Sequence, residues 1–316
     1  MASLVADIGA TNARFQLCDA GGLLGAPVVL SVTDFTDQAV MVRNALTRLR
    51  EEAESLNVER ALFAVAGPHQ GGGQFTLTNT GLKLSESGLS DALQCTTRLV
   101  NDFYAQAAFV PHAEHLAQVG GGEPHGTVKA VLGPGSGLGM ASLAQTNGRW
   151  RIMSGEGGHA DFSPGSHLEV ELWSTLSQRF SHISWETLLS GAGLQNLYWA
   201  MCQVWGAKPD ELSAAQISDK GLKIEDPVCH QTLETFFALL GSAAGNLALT
   251  LGARGGVYIA GGIVPQMVDY ALQSPLRRRF DEKGQMSAYV KAIPLYIVTD
   301  DVPGLKGARI CLFEDL

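Results

Sequence analysis

The hydrophobic pattern of the first hundred residues predicts strands that alternate with helices. Apolar residues recur on one helical face from Val42 through Leu49 to Ala53, which predicts an amphipathic helix. Short apolar runs bounded by turn residues predict strands on both sides of it. The predicted strands are Leu4–Asp7, Ala13–Cys18, Val28–Val32, Ala61–Ala66, Gln74–Thr78 and Arg98–Val100, and a second short helix is predicted over Ser90–Leu93. This order predicts one mixed α/β domain of about 100 residues.

A similar layout begins again near residue 128. A strand over Val128–Leu132 is followed by a glycine turn at Gly133–Gly139 and by two further strands, Met140–Ala144 and Trp150–Met153. The opening of the chain has the same order of strand, glycine turn and strand. The repetition indicates two related halves.

Residues 167–251 are predicted to be largely helical. Asp226 is predicted to be the N-cap of a helix that begins at Pro227. Ser213 and Gln216 are predicted to form a capping box. Further along, Val257–Ala260 is predicted as a core strand and Leu295–Val298 as an edge strand. The segment Val110–Gly126 is rich in Gly, Pro and His, and we interpret it as the crossing region between two domains.

Length and charge narrow the class of protein. A chain of 316 residues is longer than a single hydrophobic core usually serves, so its length predicts two domains. The net charge of −9 argues against nucleic acid as the main partner, because binding to a phosphate backbone requires clustered Lys and Arg. The basic run Arg277–Arg279 is short and is followed by Asp281 and Glu282, so we interpret it as a solvated helix end.

Targeting signals and cysteine usage favour a cytoplasmic protein. We find no signal-peptide pattern and no apolar run of membrane-spanning length. The cysteines are scattered and form no CxxC pair, which is typical of reduced thiols. They are Cys18, Cys95, Cys202, Cys229 and Cys311.

The first candidate site follows the apolar start of the chain. Asp7 ends a strand, Gly9 turns the chain, and the polar residues Thr11 and Asn12 follow. Such a turn can aim backbone N–H groups and a hydroxyl at phosphate oxygens, and Asp7 is placed to hold Mg²⁺ directly or through water. The alternative is a polar hairpin corner without a ligand.

A second glycine turn lies at Gly133–Gly139. No G-x-x-x-x-G-K-[ST] sequence is present, which excludes a P-loop NTPase, and the alternating glycines do not match the dinucleotide fingerprint. A strand followed by such a turn still offers a backbone nest for phosphate around Gly135, Ser136 and Gly137. The alternative is a glycine-rich hairpin that binds nothing.

Asn101 and Asp102 follow a predicted strand. Carboxylates at strand ends in open α/β sheets face the crevice where ligands bind, and an Asp there can take a proton from an attacking hydroxyl. Asn101 has the donor and acceptor that complement a sugar hydroxyl. The alternative is that Asp102 caps a helix beginning at Phe103.

Three further sets of residues are candidates for ligand contacts. Glu156 and His159 have a metal-like spacing, but the glycines between and around them favour a loop that converges on a small polar ligand. Glu186 is a candidate as well, with an ordinary first-turn glutamate as the alternative. Gly261 and Gly262 follow an apolar strand and permit close approach of a flat group such as adenine, with a tight strand-to-helix turn as the alternative.

Taken in order, these motifs resemble the bacterial ATP-dependent glucokinases of the enterobacterial type. The resemblance runs from residue 4 to Gly307. It is carried by ADIGATNAR at 6–14, LVNDF at 99–103, GPGSGLG at 133–139, GEGGHADF at 155–162, LLSGAGL at 188–194, GNLALTLG at 245–252 and YIAGGIVP at 258–265.

The resemblance implies an actin-like (ribonuclease-H-like) ATPase fold with two α/β domains and a cleft between them. We expect a small domain over residues 1–109, a large domain over 110–299, and a C-terminal segment from about 300 to 316 that returns to the small domain. It also implies a homodimer. The acidic net charge and the lack of an apolar run of membrane-spanning length predict no partner among nucleic acids or membranes.

The resemblance also assigns roles. Asp102 is expected to be the general base in transfer of a phosphoryl group from Mg-ATP to the 6-hydroxyl of glucose. The glucose-binding residues are expected to be Asn79, Asn101, Glu156, His159 and Glu186, with Asp102 also in contact. Phosphates are expected at Gly9, Ala10, Thr11 and Asn12 and at Gly135, Ser136 and Gly137, Mg²⁺ at Asp7, and adenosine at Gly261 and Gly262.

The chain departs from the family pattern at two loop positions. Ala10 replaces the second glycine of the usual D-x-G-G-T, and Ser136 replaces a common Thr while keeping its hydroxyl. We expect the methyl group of Ala10 to weaken nucleotide binding. Residues 160–201 contain no cysteine, so the structural zinc of the related ROK kinases is not expected. Alternative functions are a kinase for another hexose or N-acetylhexosamine and a non-catalytic sugar sensor.

Overall fold

The computed structural model describes residues 2–51, 57–67, 71–77 and 80–314. The chain divides into two compact units. One comprises residues 1–114, 143–154 and 300–316, and the other residues 115–142 and 155–299. Hydrogen bonding nevertheless places residues 143–154 in the sheet of the second unit.

The first unit is built on a five-stranded sheet. Its strands are β1 (Ala2–Ile8), β2 (Asn12–Cys18), β3 (Leu23–Ser31), β4 (Val58–Val65) and β7 (Thr96–Asn101), with the small hairpin β5 (Gln74–Thr76) and β6 (Lys83–Ser85) between the last two. Its helices are α1 (Gln38–Glu51), α2 (Glu86–Leu93) and α3 (Asp102–Phe109). The strand order is β3-β2-β1-β4-β7, and β1, β4 and β7 are parallel.

The alternating direction of side chains along β1 explains how α1 covers one face of this sheet. Leu4, Ala6 and Ile8 of β1 lie in one apolar cluster with Met41 and Val42 of α1. This is the predicted amphipathic face, and its register places Asp7 on the opposite face of the sheet.

The second unit is built on a six-stranded sheet with order β11-β10-β9-β12-β13-β8. Its strands are β8 (Leu116–Gly120), β9 (Val128–Pro134), β10 (Leu138–Thr146), β11 (Arg149–Gly155), β12 (Val257–Ile259) and β13 (Leu295–Val298). Its helices are α4 (His167–Leu176), α5 (Gly191–Trp205), α6 (Ala214–Leu222), α7 (Pro227–Leu251), α8 (Val268–Gln273), α9 (Leu276–Asp281) and α10 (Ser287–Lys291). A final helix, α11 (Pro303–Phe313), belongs to the first unit.

The two sheets repeat one topology. In each, three consecutive strands form neighbours in reverse order, and two later strands are added in parallel beside the first of them. The order β3-β2-β1-β4-β7 thus corresponds to β11-β10-β9-β12-β13, with β8 added at the edge. The expected α/β class and the repeated strand-turn-strand layout are confirmed.

The helix caps that were read from local sequence are also confirmed. The Asp226 side chain accepts hydrogen bonds from the N–H groups of Val228 and Cys229, and Ser213 and Gln216 form a complete capping box. These signals are local, because the capping side chain and the capped N–H groups lie within three residues of each other.

Two predictions about structural elements are wrong. Leu295–Val298 is not an edge strand, because β8 pairs antiparallel with it. β8 lies in the segment predicted to be a crossing region, which also contains the change from the first unit to the second between residues 114 and 115. The basic run is not simply a solvated helix end either, since Arg279 is only 8% exposed and forms a two-point ion pair with buried Glu169 at 2.5 and 3.2 Å.

Helix α7 tests the expectation that no apolar segment is long enough to span a membrane. Among the described residues it alone is long and apolar enough to cross a membrane by length and composition. The prediction that no segment reaches that length is therefore wrong. Within the second unit, 72% of the most apolar window of this helix is buried, as in the core helix of a globular protein.

Candidate functional site

Three parallel strands of the first unit bring polar residues to one edge of its sheet. Ile8 at the end of β1 lies beside Val65 of β4, which lies beside Asn101 of β7. The carboxyl ends of parallel strands open where ligands bind in α/β sheets. The Asp7 motif and the Asn101–Asp102 pair, distant in sequence, therefore share one edge.

Asp7 is largely enclosed in this edge. Its side chain is 22% exposed, and its Oδ2 lies 4.0 Å from Nη1 of Arg14 on β2. Its carboxylate also lies against Gly304 at the start of α11, so closely that a Cβ added there would lie 2.5 Å from Oδ2. Burial raises the pKa of Asp7, and the positive charge of Arg14 opposes that rise only in part. The negative charge of the Asp7 carboxylate is thus only partly neutralised by its neighbours.

The loop after Asp7 is a tight turn. The Gly9 N–H donates to the Asn12 carbonyl at 2.9 Å and closes it, and the Thr11 carbonyl accepts from Val32. Within the described part of the chain, the N–H groups of Ala10 and Thr11 have no acceptor. These two groups, rather than the Gly9 N–H, remain to bind an anion.

Asn101, not Asp102, is the N-cap of α3. Its Oδ1 accepts from the N–H groups of Phe103 and Tyr104, and its Nδ2 donates to the Gly67 carbonyl at 3.2 Å. One amide hydrogen of Asn101 is then left for another acceptor. Asp102 is the first residue of the helix, where its Oδ1 also accepts from Phe103 N–H at 2.9 Å. The positive end of the helix dipole faces this carboxylate.

Asn79, the remaining sugar-binding residue predicted in the first unit, lies outside the described residues.

In the second unit, two glycine turns and a helix start come together. The Gly135 N–H donates to the Gly137 carbonyl at 2.8 Å, and the Gly135 carbonyl accepts from Gly191 at the start of α5. The turn at 261–262 is joined to this loop by the Ile263 N–H, which donates to the Pro134 carbonyl at 3.2 Å. In the described residues the N–H groups of Ser136 and Gly137 have no acceptor. The structure therefore brings together the phosphate-loop and adenosine-turn candidates of this unit.

Glu186 connects this loop with the GEGGH turn. Its Oε2 accepts from the Leu138 N–H at 2.8 Å, and its Oε1 lies 3.8 Å from Nε2 of His159. It is not a first-turn glutamate, since it precedes α5 by several residues. A Cβ added at Gly137 would lie 2.5 Å from its Oε2.

The GEGGH turn is held by backbone pairing with the segment before Glu186. Residues 157–159 form a short 3₁₀ turn, with the His159 N–H donating to the Glu156 carbonyl at 3.0 Å. The Glu186 N–H donates to the Gly158 carbonyl and the Trp185 N–H to the Ala160 carbonyl. Glu156 and the His159 ring, which is 59% exposed, extend from this turn toward solvent.

Two contributors escaped the sequence analysis. Gly304 touches Asp7 from almost the other end of the chain, and His182 contacts the carbonyl of His159. No local sequence signal pointed to either.

We also searched the described residues for clusters of metal-binding side chains. No three His, Cys, Asp or Glu side chains within 2–51, 57–67, 71–77 and 80–314 gather into a metal-binding cluster. Mg²⁺ does not require such a cluster, since it commonly takes one or two carboxylates and completes its shell with water and substrate phosphates.

Comparison with known proteins gives a consistent result. The glucokinase family model matches residues 4–315. Glucokinase of Chromobacterium violaceum is 43% identical over 99% of this chain and 90% of its own length. Glucokinase of Neisseria meningitidis is 42% identical over 99% of this chain and 95% of its own length.

Solved structures agree. The crystal structure of a glucokinase from an Antarctic psychrotroph has a TM-score of 0.82 and 38% identity, covering 98% of each chain. A ROK family glucokinase from Streptomyces griseus, solved with glucose and AMPPNP, has a TM-score of 0.65 at 16% identity, which shows a shared fold. The actin-like ATPase fold expected from the motifs is confirmed, and the chain belongs to the glucokinase family.

Proposed function

We propose that this member of the glucokinase family transfers the γ-phosphoryl group of Mg-ATP to the 6-hydroxyl of glucose, with Asp102 as general base. The observation that carries the proposal is the place of Asp102. It stands at the carboxyl edge of three parallel strands and at the start of α3. The Asp7 loop lies at the same edge.

Asp102 would act on the attacking hydroxyl. The Phe103 N–H fixes one carboxylate oxygen, and the helix start favours negative charge on the group. The carboxylate orients the 6-hydroxyl and takes its proton as the new oxygen–phosphorus bond forms and the bond to the ADP oxygen breaks.

Asp7 fits a divalent cation. Its carboxylate is enclosed, and Arg14 at 4.0 Å compensates its charge only in part. When bound there, directly or through water, Mg²⁺ supplies positive charge to the transferring phosphates. The N–H groups of Ala10 and Thr11, and those of Ser136 and Gly137, would donate to phosphate oxygens.

Five further residues are assigned to sugar binding. They are Asn101, with its spare amide hydrogen, and Asn79, Glu156, His159 and Glu186. Gly261 and Gly262 would border adenosine.

The proposal extends to the domain organisation, oligomeric state and cellular location of the protein. We propose domains over 1–109 with about 300–316 and over 110–299, which the grouping of 300–316 with the first unit supports. We also propose a cytoplasmic homodimer that lacks structural zinc and binds neither nucleic acid nor membranes. All five cysteines are free, which agrees with a reducing compartment.

A coupled assay tests the proposal. Sugar-6-phosphate formation is measured with Mg-ATP and glucose, mannose, fructose or N-acetylglucosamine in parallel. We expect strong preference for glucose, and turnover in Asp102→Ala reduced about 10²–10⁴-fold with glucose binding retained. Turnover near the wild-type rate in that variant would exclude Asp102 as the base. Activity on another hexose alone would retain the mechanism and change the substrate, and binding of sugar without turnover would indicate a sensor.

A further inference from the structure

The end of the GEGGH turn and the residues after it, from Gly158 to Phe162, pair with residues 183–186. The N–H groups of Glu186, Trp185 and Phe162 make the backbone hydrogen bonds of this pairing, at 2.8, 3.0 and 2.9 Å. The carbonyl of His159 lies within it but accepts from a side chain instead. Its donor is Nε2 of His182, at 2.9 Å.

The other side of the His182 ring faces a carboxylate. Its Nδ1 lies 3.2 Å from Oδ1 of Asp161, so both ring nitrogens face oxygen acceptors. The His159 carbonyl can only accept, so this contact requires Nε2 of His182 to be the donor.

We infer that His182 is a positioning residue for glucose binding. It fixes the peptide group of His159 and, through it, the direction of the His159 ring, which lies 3.8 Å from Glu186 Oε1. The inference rests on the proposed role of His159 and Glu186 in sugar binding. His182 itself touches neither sugar nor nucleotide in this assignment.

Two amide substitutions separate the roles of the two nitrogens. Glutamine reaches as far as Nε2 and keeps a donor for the His159 carbonyl, whereas asparagine ends near Nδ1 and loses it. We expect His182→Asn to raise the glucose KM about tenfold, the size of one lost hydrogen bond, with the ATP KM unchanged and kcat within about threefold. His182→Gln should restore most of the glucose affinity.

His167→Asn is the matched control, because His167 is exposed at the start of α4 and has no part in the turn. It should leave both KM values at the wild-type level. Thermal unfolding of all three variants identifies a purely structural effect. Equal glucose KM values in the His182→Asn and His182→Gln variants, or a joint loss of Tm, glucose affinity and ATP affinity, would overturn the inference. A wild-type enzyme inactive on glucose would instead contradict the proposed function.

Discussion

The two glycine loops of this protein repeat one arrangement with different carboxylates. Each joins two neighbouring strands at the corresponding place in its sheet, β1 to β2 and β9 to β10. In each, the first glycine N–H closes the turn internally, and a carboxylate and a helix start lie beside the loop. These are Asp7 with α11 in the first unit and Glu186 with α5 in the second.

The two loops differ in how the negative charge of the carboxylate is neutralised. Asp7 belongs to the strand that leads into its loop, and burial raises its pKa because Arg14 at 4.0 Å is too distant to offset the lost hydration. Glu186 comes from a separate segment, is 32% exposed, and accepts from Leu138 N–H while facing His159. A repeated hairpin can thus hold a charge that suits a cation in one copy and link two loops in the other.

Among the tests of this comparison, the largest effect is expected from removing the charge of Asp7. Asp7→Asn should lower kcat about 10²–10³-fold, because a metal ion contributes several kcal/mol of charge stabilisation to such a transition state. The variant should also lose the thermal stabilisation by Mg-ATP that we expect for the wild-type protein. Steady-state kinetics with a magnesium titration measures this, and full activity in the variant would remove Asp7 from the metal site.

The same variant has an opposite effect on the free protein. A carboxyl whose folded pKa is raised contributes most to stability below its ordinary pKa of about 4, and that contribution is lost as pH rises through the raised value. Asp7→Asn should therefore increase Tm at pH 8 relative to wild type, with a smaller gain at pH 4. A difference in Tm that does not change with pH would show that Asp7 is not a destabilising buried charge.

A matched pair of alanine substitutions sharpens the comparison. In Gly304→Ala and Gly137→Ala the new methyl lies 2.5 Å from an oxygen of Asp7 or Glu186, so each displaces one carboxylate. We expect Gly304→Ala to lower kcat about tenfold with little change in glucose KM. Gly137→Ala should raise both glucose and ATP KM several-fold, because Glu186 joins the two loops. Identical kinetic profiles for the two variants would show that the carboxylates do not differ in role.

Local patterns explain why much of the fold was predictable. The amphipathic face of α1, the caps at Ser213 and Asp226 and the glycine turns are each set by residues close in sequence. The hidden strand β8 was missed because its residues are only partly buried and lie among Gly, Pro and His. With β8 missed, β13 was wrongly placed at the edge.

Contacts between distant residues explain what the sequence could not reveal about the site. Arg279 is buried because Glu169, which is 110 residues away, pairs with it. In the same way Gly304 meets Asp7 only after the chain returns to the first unit. The candidate motif residues were found from local sequence and from the family resemblance, whereas the residues that fix their direction were not.

The smallest expected effect concerns Ala10, one of the two loop residues that depart from the family pattern. Ala10 is 8% exposed and has no positive φ, so alanine is accommodated without strain. Ala10→Gly should remove a methyl beside the phosphates and lower the ATP KM about two- to threefold. It should also cost roughly 0.5–1 kcal/mol of stability through added backbone freedom in the unfolded chain. Steady-state kinetics measures the change in ATP KM, and thermal unfolding measures the loss of stability. A gain in stability, or a higher ATP KM, would mean that the methyl supports the loop instead of crowding its ligand.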